Sequence, residues 1–120
     1  MGAIKNRMSP FVEGASDIEA ALPRFVSFVQ DRLTAMYRKE YPTQTPPVLS
    51  IDKGKRYARI VRTGNGDSRD VYGFVDMTNG DLLKAAGWKG PAKGVRGSVL
   101  DSATWDAAGP YSLGGSLKWT

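Results

Sequence analysis

The spacing of the hydrophobic residues changes near residue 48, from a helical period to short runs separated by turn residues. Between residues 16 and 41, apolar residues recur three and four positions apart, which predicts one amphipathic helix. Ser16 and Glu19 have the spacing of a capping box. Pro23 either kinks this helix or lies in the first turn of a later one. In both cases we expect the apolar stripe to pack in the core; it consists of Ile18, Leu22, Phe25, Val26, Val29, Leu33, Met36 and Tyr37.

Five short strands are predicted after the helix. They cover residues 48–51, 56–63, 69–77, 82–86 and 95–100. The Gly-Asn-Gly-Asp run at residues 64–67 and Asn79-Gly80 are turn sequences, in which Gly and Asn accept positive φ. In the third strand, alternation places Val71, Gly73 and Val75 on one face and Tyr72, Phe74 and Asp76 on the other. One helix followed by five strands with Gly-rich turns predicts an α+β, mostly β domain, built as a strongly bent small barrel.

The two ends of the chain differ from this predicted domain of residues 16–101. Residues 1–15 show no periodicity and are interpreted as an N-terminal arm or a loose tail. Residues 102–120 form a C-terminal tail that is too aromatic for a simple spacer. Its three aromatic residues are Trp105, Tyr111 and Trp119. This tail docks on the barrel, docks on a neighbouring subunit, or frays.

Composition removes several classes of chemistry. The chain has 120 residues, enough for one domain, with no Cys and no His. Disulfides, thiolate zinc sites and a Ser-His-Asp triad are therefore excluded. A Mg²⁺-dependent nuclease is the least favoured hypothesis. Its metal ligands would be carboxylates in or near turns, namely Asp67, Asp70, Asp76 and Asp81. Because Asp in turns ordinarily caps backbone N–H groups, we expect no enzyme, no catalytic residue, no metal and no cofactor.

The positive charge is concentrated in the predicted strands. The net charge is +5, and residues 52–101 hold ten Lys and Arg against six Asp. Aromatic residues alternate with these cations, and cations plus flat rings suit single-stranded nucleic acid. The competing interpretation is that the aromatic residues are core and the cations are solvated. The sequence contains no apolar run long enough to span a membrane and no apolar signal core, which predicts a cytoplasmic protein with no membrane partner.

The segment 85–94 concentrates the candidate chemistry. Its glycines allow a ligand to approach the backbone closely, and Trp88 lies between two lysines with little to bury it. We expect Lys89, Lys93 and Arg96 to contact phosphate, and Trp88 and Tyr72 to stack on bases. The same glycines are also compatible with a purely structural loop. The remaining predicted nucleic-acid contacts are Lys84, Arg56 and Arg59.

Two short runs stand out in the strand region: Val-Arg-Gly-Ser-Val at residues 95–99 and Asp-Met-Thr-Asn at residues 76–79. The first is similar to the second motif of the Sm-like (LSm) family, in which the Arg, here Arg96, lines the RNA site. The other is similar to the first motif of that family, with an Asp-to-Asn spacing one residue shorter. The resemblance implies a small barrel that assembles into a ring by pairing of edge strands.

The longer stretch 71–97 resembles small uncharacterised proteins of tailed and marine phages, including a cyanophage-type protein with an Sm-like fold. This implies a phage protein in the host cytoplasm. The function predicted on this basis is binding of single-stranded RNA or DNA by an oligomeric ring. The alternative is a structural or genome-packaging protein of the virion, with other virion proteins as partners.

Overall fold

A single long helix opens the part of the chain that the computed structural model describes, residues 15–113. Helix α1 spans Ala15–Glu40 and continues through Pro23. The two alternatives for Pro23 thus resolve into one helix that contains it. Ser16 lies inside the helix and the Glu19 carboxylate pairs with Lys53, which is not the arrangement of a capping box.

The apolar stripe of α1 forms the helical side of the core, as its spacing predicts. Seven of its members are buried, with at most 8% of each exposed: Ile18, Leu22, Phe25, Val26, Val29, Leu33 and Met36. Tyr37 packs against the same core and stays partly accessible. Removing this apolar surface from water is the main force that holds the helix on the sheet.

Five antiparallel strands come after the helix in a simple meander. They are β1 (Val48–Lys53), β2 (Tyr57–Thr63), β3 (Arg69–Asp76), β4 (Asp81–Ala85) and β5 (Pro91–Ser98), and each pairs with the next. The α+β composition and the number of strands are confirmed. Within residues 15–113 no ladder joins β1 to β5, so the sheet is open and has these two strands as its edges.

The turns between strands depart in detail from their predicted form. After β2, positive φ occurs at Gly66 and Asp67 rather than at Asn65. The fifth strand begins at Pro91, four residues earlier than expected, so the Gly-rich segment is a short turn and then strand. That turn is closed by backbone hydrogen bonds from the N–H groups of residues 86 and 87 to the carbonyl oxygen of Gly90, at 3.0 and 3.4 Å.

A β-bulge decides which side chains of β3 face the helix. Ile60 pairs with Gly73 and Val61 pairs with Val71, so Tyr72 has no partner on β2. The predicted strict alternation is therefore wrong at this point, because one extra residue in a strand reverses the faces of the residues beyond it. Tyr72 enters the core beneath the helix, and Phe74 is buried outside that core cluster.

The aromatic C-terminal segment packs on its own domain up to residue 113. The Trp105 ring lies 5.6 Å from Phe25 and 5.5 Å from Phe28 between centroids, and its Nε1–H donates to the carbonyl oxygen of Ser98 at 3.0 Å. Leu113 is buried in the core. Of the predicted alternatives, docking on the same domain holds for residues 102–113. The N-terminal arm and Trp119 lie outside the described residues.

Candidate nucleic-acid interface

Trp88 lies at the tip of the hairpin that joins β4 to β5, and 41% of the residue is exposed. Two guanidinium groups lie over its ring: the Cζ atoms of Arg59 and Arg69 are 4.8 and 5.3 Å from the ring centroid. Arg59 also donates from Nε to the carbonyl oxygen of Trp88 at 2.8 Å. The hairpin tip is thus folded back against β2, and the indole keeps a solvent-accessible part.

Two further aromatic residues, Phe74 and Tyr57, lie on the face of the sheet opposite the helix, beside Arg59. Phe74 is 2% exposed and is the cross-strand partner of Arg59, whose Cζ lies 5.8 Å from its ring centroid. Tyr57 meets Phe74 edge-on, with centroids 6.3 Å apart. Cations and rings therefore alternate on this face, an arrangement that flat, negatively charged ligands favour.

A pocket of about 200 Å³ lies between the β1–β2 turn and the hairpin tip. Tyr57 and Phe74 form its aromatic wall. Its charged lining consists of five cations and one carboxylate: Lys53, Lys55, Arg56, Arg59, Lys89 and Asp52. The pocket is consequently electropositive.

Arg56 connects this pocket to a buried carboxylate. Its Nη2 donates to Oδ2 of Asp76 at 3.0 Å, and the Asp76 side chain is only 5% exposed. Burial alone raises the pKa of Asp76, but hydrogen bonds from Thr78 and Arg56 outweigh it, so the pKa lies below its usual range. The ion pair fixes the guanidinium group of Arg56, while 61% of the Arg56 side chain remains exposed.

The structure gathers four of the predicted contact residues and separates the others. Arg56, Arg59 and Lys89 line the pocket, and Trp88 is the neighbour of Lys89. Three further cations are exposed on the last two strands, and they are Lys84, Lys93 and Arg96. None of these three lines the pockets on either side of Trp88.

Tyr72 is not available to a ligand, so its predicted stacking role is wrong. It is 0% exposed, and its hydroxyl donates to the carbonyl oxygen of Gly109 at 2.6 Å. Burial raises the pKa of this hydroxyl well above its ordinary value. The β-bulge placed the ring in the core, where it serves packing rather than binding.

Three cations of the site were not among the predicted contacts. Lys53 and Lys55 line the pocket at the β1–β2 connection, and Arg69 contacts Trp88 from the start of β3. All three belong to the basic set of residues 52–101, which was the available signal. Which cations of this set meet at the site depends on how the hairpin folds over the sheet, and the spacing of residues along the chain does not encode that fold.

Two of the four carboxylates on which the nuclease hypothesis rests, Asp70 and Asp76, already accept hydrogen bonds from other groups of the domain. Asp70 accepts two hydrogen bonds from Arg62, at 3.1 and 2.8 Å. Asp76 accepts from the backbone N–H and the hydroxyl of Thr78, at 2.9 and 2.6 Å. Across residues 15–113, no three carboxylates come together in a group that could hold a metal ion.

Taken with its site, the fold defines a class: a small α+β domain whose helix covers one face of an antiparallel meander, with an electropositive aromatic pocket on the other face. The chain belongs to a family of unknown function, DUF7717, whose family model matches residues 11–109. No curated protein and no solved structure matches the chain. In the described part of the chain, no helix has the length and apolarity needed to cross a membrane.

Proposed function

We propose that this protein binds single-stranded nucleic acid on the face around Trp88. The observation that carries the proposal is the exposed indole at the hairpin tip, held against two guanidinium groups beside an electropositive pocket. Flat faces bind unpaired bases, and cations bind the phosphates between them. A duplex hides its base faces, so the arrangement favours single strands.

The individual residues take different parts in this proposal. Trp88 stacks on a base, while Arg59 and Arg69 hold the indole and add planar cationic surface. Lys89 contacts phosphate at the tip. The exposed cations Lys84, Lys93 and Arg96 extend the phosphate track along β4 and β5; none of them forms an ion pair with the described residues. No catalytic step and no cofactor belongs to the proposal.

The assembly we propose is an Sm-like ring. Neither edge strand, β1 or β5, has a partner strand within residues 15–113. Side chains of the same domain bond part of each edge, namely Gln30 at Leu49 and Trp105 at Ser98. Each edge strand also exposes an apolar residue: Val48 is 59% and Val95 is 58% exposed. Pairing of β1 of one copy with β5 of the next satisfies both edges and closes the sheet around a ring. A phage origin, with a place in the host cytoplasm or the virion, is part of the same proposal. Light scattering coupled to gel filtration tests the assembly, and a monomer at micromolar concentration contradicts it.

Fluorescence anisotropy with labelled single-stranded RNA, single-stranded DNA and duplex DNA tests the binding. We expect single strands to bind tighter than duplex, with affinity that falls steeply with log salt concentration. Trp88→Ala should weaken binding about 5- to 150-fold, the range that corresponds to the loss of one stacked base. Lys89→Gln should weaken it too, whereas Lys39→Gln, the same charge change on the helix, should not.

Two results contradict the proposal. Equal, weak binding to all three nucleic acids that Trp88→Ala leaves unchanged indicates general basicity only. No binding even at low salt favours the second candidate, a structural or packaging protein of a virion. The two edge strands, which have no partner strand within residues 15–113, support that candidate, because they can join neighbouring subunits without any ligand.

A further inference from the structure

We propose that the pocket beside Trp88 binds a terminal phosphate monoester, so that the protein recognises the phosphorylated end of a nucleic-acid strand. This inference rests on the proposed function and adds the chemical group that the pocket selects. Three features of the pocket carry it: its uncompensated charge, its aromatic wall and its small volume.

The charge of the pocket matches a dianion. Three of its five cations already face a carboxylate: Lys53 pairs with Glu19, Arg56 with Asp76 and Arg59 with Asp52. The other two, Lys55 and Lys89, are exposed and form no ion pair with any carboxylate of residues 15–113. Two uncompensated ammonium groups from two different turns therefore line one pocket. A phosphate monoester carries close to two negative charges at pH 7, whereas an internal phosphodiester carries one.

The aromatic wall favours an organic group attached to the phosphate. Phe74 is 2% exposed, so Tyr57, which meets Phe74 edge-on, supplies the accessible part of this wall. The Arg56 guanidinium lies 5.0 Å from the Tyr57 centroid. A cation over a ring beside two ammonium groups suits a base or ribose next to a phosphate. A free phosphate ion would gain nothing from this wall.

The volume limits what the pocket can hold. At about 200 Å³ it is smaller than the roughly 300–1,000 Å³ of ordinary small-molecule sites, so it holds one phosphate with part of its nucleotide and not several nucleotides. The 5′-phosphate, the 3′-phosphate and a free mononucleotide share this chemistry. The experiment distinguishes among them.

The test uses the full chain and three single-stranded oligonucleotides of one sequence, each labelled internally. One carries a 5′-phosphate, one a 3′-phosphate and one hydroxyl groups at both ends. We expect one phosphorylated oligonucleotide to bind about tenfold tighter than the hydroxyl form, as charge-assisted hydrogen bonds to a dianion require. Equal affinities for all three overturn the inference.

Variants locate the preference in the pocket. Lys55→Gln and Lys89→Gln should each reduce the ratio of phosphorylated to hydroxyl affinity, and together they should bring it close to one. Lys39→Gln removes the same charge from the helix, away from both the pocket and the phosphate track, and should leave that ratio unchanged. Loss of the preference in Lys39→Gln as well would assign it to overall charge and contradict the pocket.

A pH series adds an independent readout. The second ionisation of a phosphate monoester has a pKa of about 6. The chain holds no His and no Cys, so none of its side chains has an ordinary pKa between 5 and 8. The groups that face the phosphate are the lysines, the arginines and Asp52. The preference should therefore fall between pH 7.5 and pH 5; a preference that is constant over this range contradicts recognition of the dianion.

A mononucleotide titration separates this inference from the proposed function. Adenosine monophosphate and adenosine are added to ¹⁵N-labelled protein, and the amide signals of residues 52–59, 88 and 89 are monitored. Shifts with the monophosphate alone support the pocket even if no oligonucleotide binds. Oligonucleotide binding without any effect of a terminal phosphate, and without these shifts, leaves the proposed function standing and overturns the inference.

Discussion

Arg59 contacts both the backbone and the ring of Trp88: Arg59 Nε donates to the Trp88 carbonyl oxygen at 2.8 Å, and Arg59 Cζ lies 4.8 Å from the indole centroid. A third contact anchors the arginine itself, since Nη1 donates to Oδ2 of Asp52 at 2.6 Å. The Arg59 side chain is only 22% exposed. One residue of β2 therefore sets the position of a hairpin tip that begins and ends on other strands.

Arg59→Met should release the hairpin tip while the methionine keeps much of the apolar packing on Phe74. We expect a loss of about 1 kcal/mol in the free energy of unfolding, and a shift and narrowing of the Trp88 indole signal in ¹H–¹⁵N spectra. The indole signals are assigned with single Trp→Phe variants. Arg96→Met is the control and should leave that signal in place; an unchanged Trp88 signal in Arg59→Met would contradict the anchoring role.

Gly73 leaves room for the C-terminal segment on β3. A Cβ atom at this position would lie 2.9 Å from Cγ of Leu113 and 3.0 Å from the carbonyl oxygen of Leu83. Gly73→Ala should therefore lower the free energy of unfolding by about 1–3 kcal/mol through overpacking. Urea denaturation measures this loss.

Gly87→Ala provides the matched comparison, because a Cβ there meets nothing within 4 Å. It should change stability by less than about 0.5 kcal/mol. In the double variant Gly73→Ala/Leu113→Ala, the combined loss should be smaller than the sum of the single losses, since the clash and the cavity share one space. Additive losses would show that Leu113 is not what excludes a side chain at residue 73.

The helix and the number of strands were predictable because each rests on a local period. Seven stripe residues of α1 are buried as expected, and five strands form with shifted ends. Tyr72 was misplaced because a single extra residue in one strand reverses the facing of its neighbours, and nothing in the apolar pattern marks that bulge. Lys55 and Lys89 line one pocket only because the hairpin folds over the sheet. The spacing of residues along the chain does not reveal which side chains the tertiary fold brings together.

The Asp76 carboxylate makes the free energy of unfolding decrease as the pH becomes acidic. This carboxylate is buried and accepts hydrogen bonds from Thr78 and Arg56, which hold its pKa below the ordinary value. A lowered pKa in the folded state contributes stability above the unfolded pKa of about 4, and that contribution is lost as the pH falls through the folded pKa. Asp76→Asn should cost about 1–3 kcal/mol at pH 7.

The difference in unfolding free energy between Asp76→Asn and the unsubstituted protein should therefore shrink between pH 4 and pH 2. Urea titrations at a series of pH values measure it. Asp31→Asn removes an exposed carboxylate of α1 and serves as the control for general charge effects. A difference that stays constant down to pH 2 would mean that the negative charge of Asp76 contributes nothing to the free energy of unfolding.

Tyr72→Phe removes the buried hydroxyl that donates to Gly109 and leaves that carbonyl oxygen without this donor. The expected cost is about 1–2 kcal/mol at pH 8, measured by urea denaturation. Burial raises the pKa of Tyr72 above its ordinary value of 10.0, so its contribution is complete below pH 10 and is lost as the pH rises beyond it. The advantage of the unsubstituted protein over Tyr72→Phe should thus decrease from pH 8 to pH 10.5. The control is Tyr57→Phe, because the Tyr57 hydroxyl has no hydrogen-bond partner among the described residues. A decrease of the same size in this control would assign the effect to tyrosine ionisation in general.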